Sequence, residues 1–190
     1  MTIREDRAAG SRLDRQGLFV ITGIMAAGKS TIAQLLAERF AKGVHVRGDI
    51  FRRMIVSGRE EMTPGYSQAA LDQLKLRYRL AAATAEAYFA AGFSVVVQDN
   101  IYGPDLIDFI QLICSRPLYV VVLCPRAEVV LAREASRGKR GYGEWTVEEL
   151  DREFREKTPR IGLWLDTSEQ TPQETVEEIL RRVWTEGEIT

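Results

Sequence analysis

The chain has little cysteine, a single histidine, few aromatics and no long apolar run, and each scarcity removes a class of protein. Its two cysteines, Cys114 and Cys124, stand in or beside apolar segments without C-x-x-C or Cys/His spacing. No disulfide framework or structural zinc site is implied, and the pair reads as buried thiols in a reducing compartment. The only histidine, His45, falls inside a short β-prone stretch and reads as structural. No apolar run approaches the roughly 18 residues that a membrane span needs, so no membrane partner is expected. The net charge of −1 and an aromatic content of 8% argue against a general polyanion binder, while leaving room for a local basic patch. Residues 1–16 mix Arg4, Arg7, Arg12 and Arg15 with Glu5, Asp6 and Asp14. They lack the apolar core of a signal peptide and read as a polar N-terminal tail, which points to a cytoplasmic protein. With 190 residues, 45% of them hydrophobic, the remainder from 17 to 190 suits one domain, burying about 70% of the surface its unfolded form exposes.

What is present is organised around Gly23-Ile24-Met25-Ala26-Ala27-Gly28-Lys29-Ser30, a match to G-x-x-x-x-G-K-[ST] between the apolar run Leu18–Thr22 and a helical pattern. A strand ending in such a glycine-framed turn can direct successive backbone N–H groups inward, with the positive end of the following helix beneath the same anion. Lys29 would reach the β- and γ-phosphates of a bound nucleotide. Ser30 offers a hydroxyl where a bridging Mg²⁺ needs an oxygen, and Thr31 can face the α-phosphate.

Ile32, Leu35, Leu36 and Phe40 mark a helix packing on a sheet, and Val44–Arg47 a short strand. Asp49, Arg52 and Arg53 follow that strand's end, where open α/β sheets hold ligand-contacting groups. A loop over 57–67 precedes a long helix from about Leu71 to Ala91 with Leu74, Tyr78, Ala81, Ala85 and Tyr88 on its buried face. Ser94–Gln98 reads as a fully buried strand that delivers Asp99 to its C-terminal end, and Leu118–Cys124 as another. Arg133 and Arg137 stand four apart on a predicted helix and share one face. Thr146 with Glu149 forms a capping box, Ile161–Asp166 a fifth strand, and Thr171, Pro172 and Glu174 cap the last helix. Trp145, Trp164 and Trp184 read as packing residues. Five strands separated by helices imply a parallel sheet with helices on both faces.

From Leu18 to about Trp184 the chain resembles the P-loop small-molecule and nucleotide kinases, most of all the chloramphenicol-phosphotransferase and zeta-toxin-like group. The loop at Gly23–Ser30, Asp49 after strand two, the Val-Val-Val-Gln-Asp99 strand and the arginines from Arg133 to Arg140 carry the likeness. The resemblance implies a three-layer sandwich with strand order 2-3-1-4-5 and an arginine-rich lid at about 133–146. It also implies ATP or a related nucleoside triphosphate as phosphoryl donor and Mg²⁺ as cofactor, and leaves the acceptor open; the leading expectation is a small-molecule hydroxyl, with an antibiotic or a nucleotide-linked sugar among the candidates. Gly23, Ala26, Ala27, Gly28, Lys29, Ser30 and Thr31 would then hold the phosphates. Asp49 would be the base, or else only the cap of a helix beginning at Ile50. Asp99 would hold Mg²⁺ through water, Arg133 and Arg137 would clamp the phosphates, and Thr167 and Ser168 would lie against the base of the nucleotide. Arg52, Arg53 and Asn100 are acceptor-side candidates, with Arg59, Arg77 and Arg79 around them. A polynucleotide 5′-hydroxyl kinase and a nucleotide-binding switch are the competing readings.

Overall fold

The computed structural model describes residues 12–136 and 145–190. Leu18–Thr22 forms β1, buried along its whole length. It pairs in parallel with β3 (Ser94–Gln98) on one side and β4 (Leu118–Leu123) on the other. Strands covered on both edges and both faces are chiefly apolar, which is why Leu18–Ile21, Val95–Val97 and Leu118–Leu123 appear as hydrophobic runs, with the buried polar Thr22, Ser94 and Gln98 only at strand ends. β2 (Gly43–Arg47) extends the sheet beyond β3 and β5 (Leu163–Leu165) beyond β4, giving the parallel order β2-β3-β1-β4-β5 that the resemblance implies.

A two-residue strand, β6 (Glu188–Ile189), was not expected and runs antiparallel to β4. β5 pairs with Val121–Leu123 and β6 with Leu118 and Tyr119, so they divide one edge of β4 between them. Gly162 makes the junction possible: it has φ 76°, and a Cβ there would lie 2.5 Å from the Val120 carbonyl oxygen.

The helices are α1 (Lys29–Ala37), α2 (Asp49–Arg53), α3 (Gln68–Ala90), α4 (Asp105–Gln111), α5 (Ala127–Ser136), α6 (Val147–Lys157) and α7 (Pro172–Glu186). α1 packs with α7, and α3 with α2, α4, β2 and β3. Both expected capping boxes form, Thr146 with Glu149 at α6 and Thr171 with Glu174 at α7. α3 begins before Leu71 because the Ser67 hydroxyl caps it, accepting from the Ala70 N–H at 3.1 Å. No described helix is long and apolar enough to cross a membrane.

Three expectations are corrected. Residues 12–16 are not a loose tail: Leu13 bridges to Phe40, and Gln16 donates to the Phe89 and Phe93 carbonyls. Arg15 lies 4.3 Å over the Trp184 ring and bonds the Tyr119 hydroxyl at 3.0 Å. The cause is the cluster of Phe19, Phe40, Tyr119 and Trp184, in which the Trp184 ring presents a face that a guanidinium can cover. Tyr88 is exposed near the end of α3, edge-on to Phe93. Cys114 is exposed just past α4, where Glu86 accepts its N–H, whereas Cys124 is buried with its thiol against the Leu165 carbonyl.

His45 on β2 contacts the Gln34 amide oxygen through Nδ1 at 3.0 Å, and its Nε2 is buried without a partner. Burial first, and the Arg47 charge second, lower its pKa from 6.5 to about 4. A ring neutral in the fold and protonated when unfolded draws protons to the unfolded state, so its contribution is present above pH 6.5 and lost as the pH falls through about 4. Melting temperature should therefore drop across that window, and His45→Gln should flatten the drop. Parallel pH profiles of the two proteins would show no difference if the ring titrates normally.

Candidate active site

The glycine-rich turn closes β1 onto α1. Gly23 has φ 148°, and a Cβ there would strike the Leu123 carbonyl oxygen at 2.4 Å. Ala26 (φ 61°) and Gly28 (φ 99°) are left-handed and Ala27 between them is not, the alternation that turns successive N–H groups toward one point. Ala26 bears this conformation at a cost of roughly 1 kcal/mol. Gly28 is the N-cap of α1, so the first turn of that helix adds its backbone donors and positive dipole end. A Cβ on Gly28 would meet, among the described residues, only Arg133 Nη1, at 3.9 Å. Lys29 is buried, its Nζ donating to the Gly23 and Ile24 carbonyls at 2.7 and 2.8 Å. Ser30 is half-buried and Thr31 exposed on the first turn.

The parallel register brings the end of β2 beside the end of β3. The Gly48 N–H continues the ladder to the Gln98 carbonyl at 3.0 Å, and Gly48 is the N-cap of α2, which has no side-chain capping bond. Asp49 is thus the first residue of α2 and not its cap. Its side chain is 34% exposed, 2.6 Å from Arg53 and 3.9 Å from Arg47.

Asp99 differs from the expectation of a metal-facing carboxylate. Its side chain is 2% exposed. Arg77 Nε donates to Oδ2 at 2.7 Å, while Arg77 Nη2 and the Asn100 N–H both donate to Oδ1. Burial raises the Asp99 carboxyl above its ordinary range against the pull of Arg77, and the Arg77 guanidinium is held in its charged form. The resemblance pointed to Asp99 without its partner, because the match depends on how α3 is rotated.

Arg133 bridges two loops, its guanidinium donating to the Ala27 carbonyl at 3.3 Å and the Thr167 carbonyl at 3.2 Å. It therefore spans the phosphate loop and the segment after β5. The Thr167 hydroxyl is buried there without a partner. Ser168 is occupied: its hydroxyl bonds Asp166 and accepts the Arg126 N–H. Arg137, Lys139 and Arg140 lie outside the described residues. Arg52 pairs with Glu61 and Arg53 with Asp49, and the Asn100 carbonyl accepts from the Tyr78 hydroxyl at 2.7 Å. Among the described residues no group of three or more acidic, histidine or cysteine side chains could hold a metal.

A family model described as AAA domain matches residues 18–157, which include the phosphate loop, Asp49 and Asp99. The chain belongs to the AAA domain family. No curated protein matches it. Among solved structures, an APS kinase from Mycobacterium tuberculosis, in complex with AMPPNP and APS, is 16% identical over 88% of this chain and 96% of its own, with a TM-score of 0.66. A sugar kinase from Janibacter is 18% identical over 88% and 94%, with a TM-score of 0.64. The tunicamycin resistance protein of Deinococcus radiodurans is 18% identical over 89% and 96%, with a TM-score of 0.62. These likenesses are of fold, and the fold of this AAA domain is that of the P-loop kinases.

In this AAA domain Gly48 has an ordinary backbone, φ −60°, yet a Cβ on it would lie 2.0 Å from Asp99 Oδ2 and 2.5 Å from its Cγ. The space next to Gly48 is filled by the carboxylate. Gly48→Ala should cost about 1–3 kcal/mol through overpacking and displace Asp49, lowering both melting temperature and activity. A wild-type melting curve for this variant would show that the contact is not close.

Proposed function

We propose that this protein is an ATP- and Mg²⁺-dependent kinase that transfers the γ-phosphoryl group to a hydroxyl of a small molecule, with an antibiotic or a nucleotide-linked sugar as the kind of acceptor. One observation carries the reading: an open phosphate loop ends β1, and two strands away on the same edge of the sheet a half-exposed carboxylate, Asp49, stands free of any capping duty. The first feature suits a triphosphate and the second a proton.

ATP fits the residues present. The left-handed positions at Ala26 and Gly28 and the start of α1 suit a cradle for phosphates. Lys29, now turned onto the Gly23 and Ile24 carbonyls, brings its charge to the β- and γ-phosphates. Arg133, which bonds the phosphate loop and the Thr167 segment, would turn its guanidinium to phosphate oxygens, and the same role is proposed for Arg137, which lies outside the described residues. The Thr167 and Ser168 segment takes the nucleotide base through its backbone, since the Ser168 hydroxyl is already engaged. When bound with the nucleotide, Mg²⁺ would supply charge neutralisation, and Ser30 would ligate it. Asp49 accepts the acceptor's proton as the new P–O bond forms and the bond from the γ-phosphorus to the β,γ-bridging oxygen breaks, releasing ADP, and Arg53 and Arg47 orient it. Arg52 and Asn100 border the acceptor space.

Two substitutions test the scheme. Lys29→Ala should abolish transfer and weaken ATP more than adenosine. Asp49→Asn should fold normally, because Gly48 and not Asp49 caps α2. It should lose on the order of 10²–10⁴ in transfer rate while ATP binds within about threefold of wild type. Near wild-type transfer by Asp49→Asn would remove the base assignment and favour substrate-assisted transfer or a switch; unchanged ATP affinity in Lys29→Ala would remove the nucleotide site.

A further inference from the structure

We infer that Arg77 is a positioning residue and Asp99 the anchor it grips, so that the acidic end of β3 is a clasp beneath the acceptor side and not a ligand of the nucleotide's magnesium. The inference rests on the nucleotide-binding half of the function proposed above.

A carboxylate has about four lone-pair sites. Three are taken at Asp99: Arg77 uses both oxygens in a fork, and the Asn100 N–H uses Oδ1 again. The remaining side of Oδ2 faces the Gly48 turn, close enough that a Cβ on Gly48 would sit 2.0 Å away. With the Asp99 side chain 2% exposed and Arg77 12% exposed, the described residues leave Asp99 one lone-pair site, crowded by the Gly48 turn, where Mg²⁺ held through its waters needs open space. Ser30, in the first turn of α1 next to Gly28 and Lys29, is half-buried, in contrast to the enclosed Asp99.

The same bonds give the clasp a purpose. Arg77 and Tyr78, adjacent on α3, hold Asp99 and Asn100, adjacent after β3, the second pair through the Tyr78 hydroxyl and the Asn100 carbonyl at 2.7 Å. α3 is thereby fixed lengthwise on the strand end. One turn earlier on α3, Gln73 donates to the Gly58 carbonyl at 2.7 Å and accepts the Glu60 N–H at 2.9 Å, so the connection from α2 is carried by the helix that the clasp positions. Gly48 is wedged against the carboxylate on the other side and leads directly into Asp49. A bidentate guanidinium suits this task where a lysine would not, because its planar fork sets orientation as well as charge.

Melting curves and Mn²⁺ binding to the protein–ADP complex, read by the electron paramagnetic resonance of free Mn²⁺, decide it with three variants. Asp99→Asn alone strands a buried guanidinium and should lower the melting temperature by on the order of 10 °C. Asp99→Asn with Arg77→Gln leaves no unpaired charge and should regain at least about half of that loss. In the double variant Mn²⁺ affinity should stay within about threefold of wild type, whereas Ser30→Ala should weaken it about 10- to 100-fold. An unchanged melting temperature in Asp99→Asn, or Mn²⁺ weakened in the double variant as far as in Ser30→Ala, would overturn the clasp. The melting arm needs no nucleotide, so a wild type that failed to bind ADP would count against the proposed function and leave the clasp to be decided by the curves.

Discussion

The parallel register of β1 between β3 and β4 is the constraint on which the rest depends. Hydrogen bonds pair Leu18–Ile21 with Val95–Gln98 and Leu18–Thr22 with Leu118–Val122, so the three strands end together. At that edge β1 gives way to the phosphate loop, β3 to Asp99 and β4 to the turn before α5. Because every residue of these strands is buried, a slip of one residue in any of them would turn apolar side chains over and part the strand ends at once. The chemistry is therefore located by a hydrophobic pattern that takes no part in it.

Close backbone approach is the second theme. Gly23 leaves room for the Leu123 carbonyl, Gly162 for the Val120 carbonyl and Gly48 for the Asp99 carboxylate. The first two serve the sheet, and the third joins the two acidic positions of the site. Charges there are paired in a graded way. Asp99 is enclosed and bound by Arg77, while Asp49 is open and paired with Arg53 at the surface. The enclosed pair holds geometry. The open carboxylate is the one proposed to meet a substrate hydroxyl, and an exposed ion pair such as Asp49–Arg53 is weak enough, at about 0–1 kcal/mol, to be rearranged by a ligand.

Much of this was legible in the chain. Unbroken runs such as Ser94–Gln98 have no stable place except in a buried parallel strand, and the loop from Gly23 to Ser30 carries its geometry in its glycines. Strand order came from the resemblance and agrees with the pairing found. What stayed hidden depends on relations that no local pattern encodes. The grip of Arg77 on Asp99 joins residues 22 apart, and five arginines in that region looked equivalent. Residues 12–16 looked like a tail because the aromatic surface that holds Arg15 is assembled from Phe19, Phe40, Tyr119 and Trp184, distant in the chain. β6 is too short for any period, and Cys114 lies one step past the turn at which α4 stops being covered.

The central claim is transfer to a small-molecule hydroxyl, and the most direct measurement is a mass-spectrometric screen of hydroxyl-bearing small molecules and oligonucleotide 5′-ends incubated with ATP, Mg²⁺ and the protein. The account predicts that a small molecule gains one phosphoryl group while ATP is converted to ADP in equal amount, and that no oligonucleotide does. Gain only on oligonucleotide ends, or ADP release with no acceptor gaining mass, would contradict it.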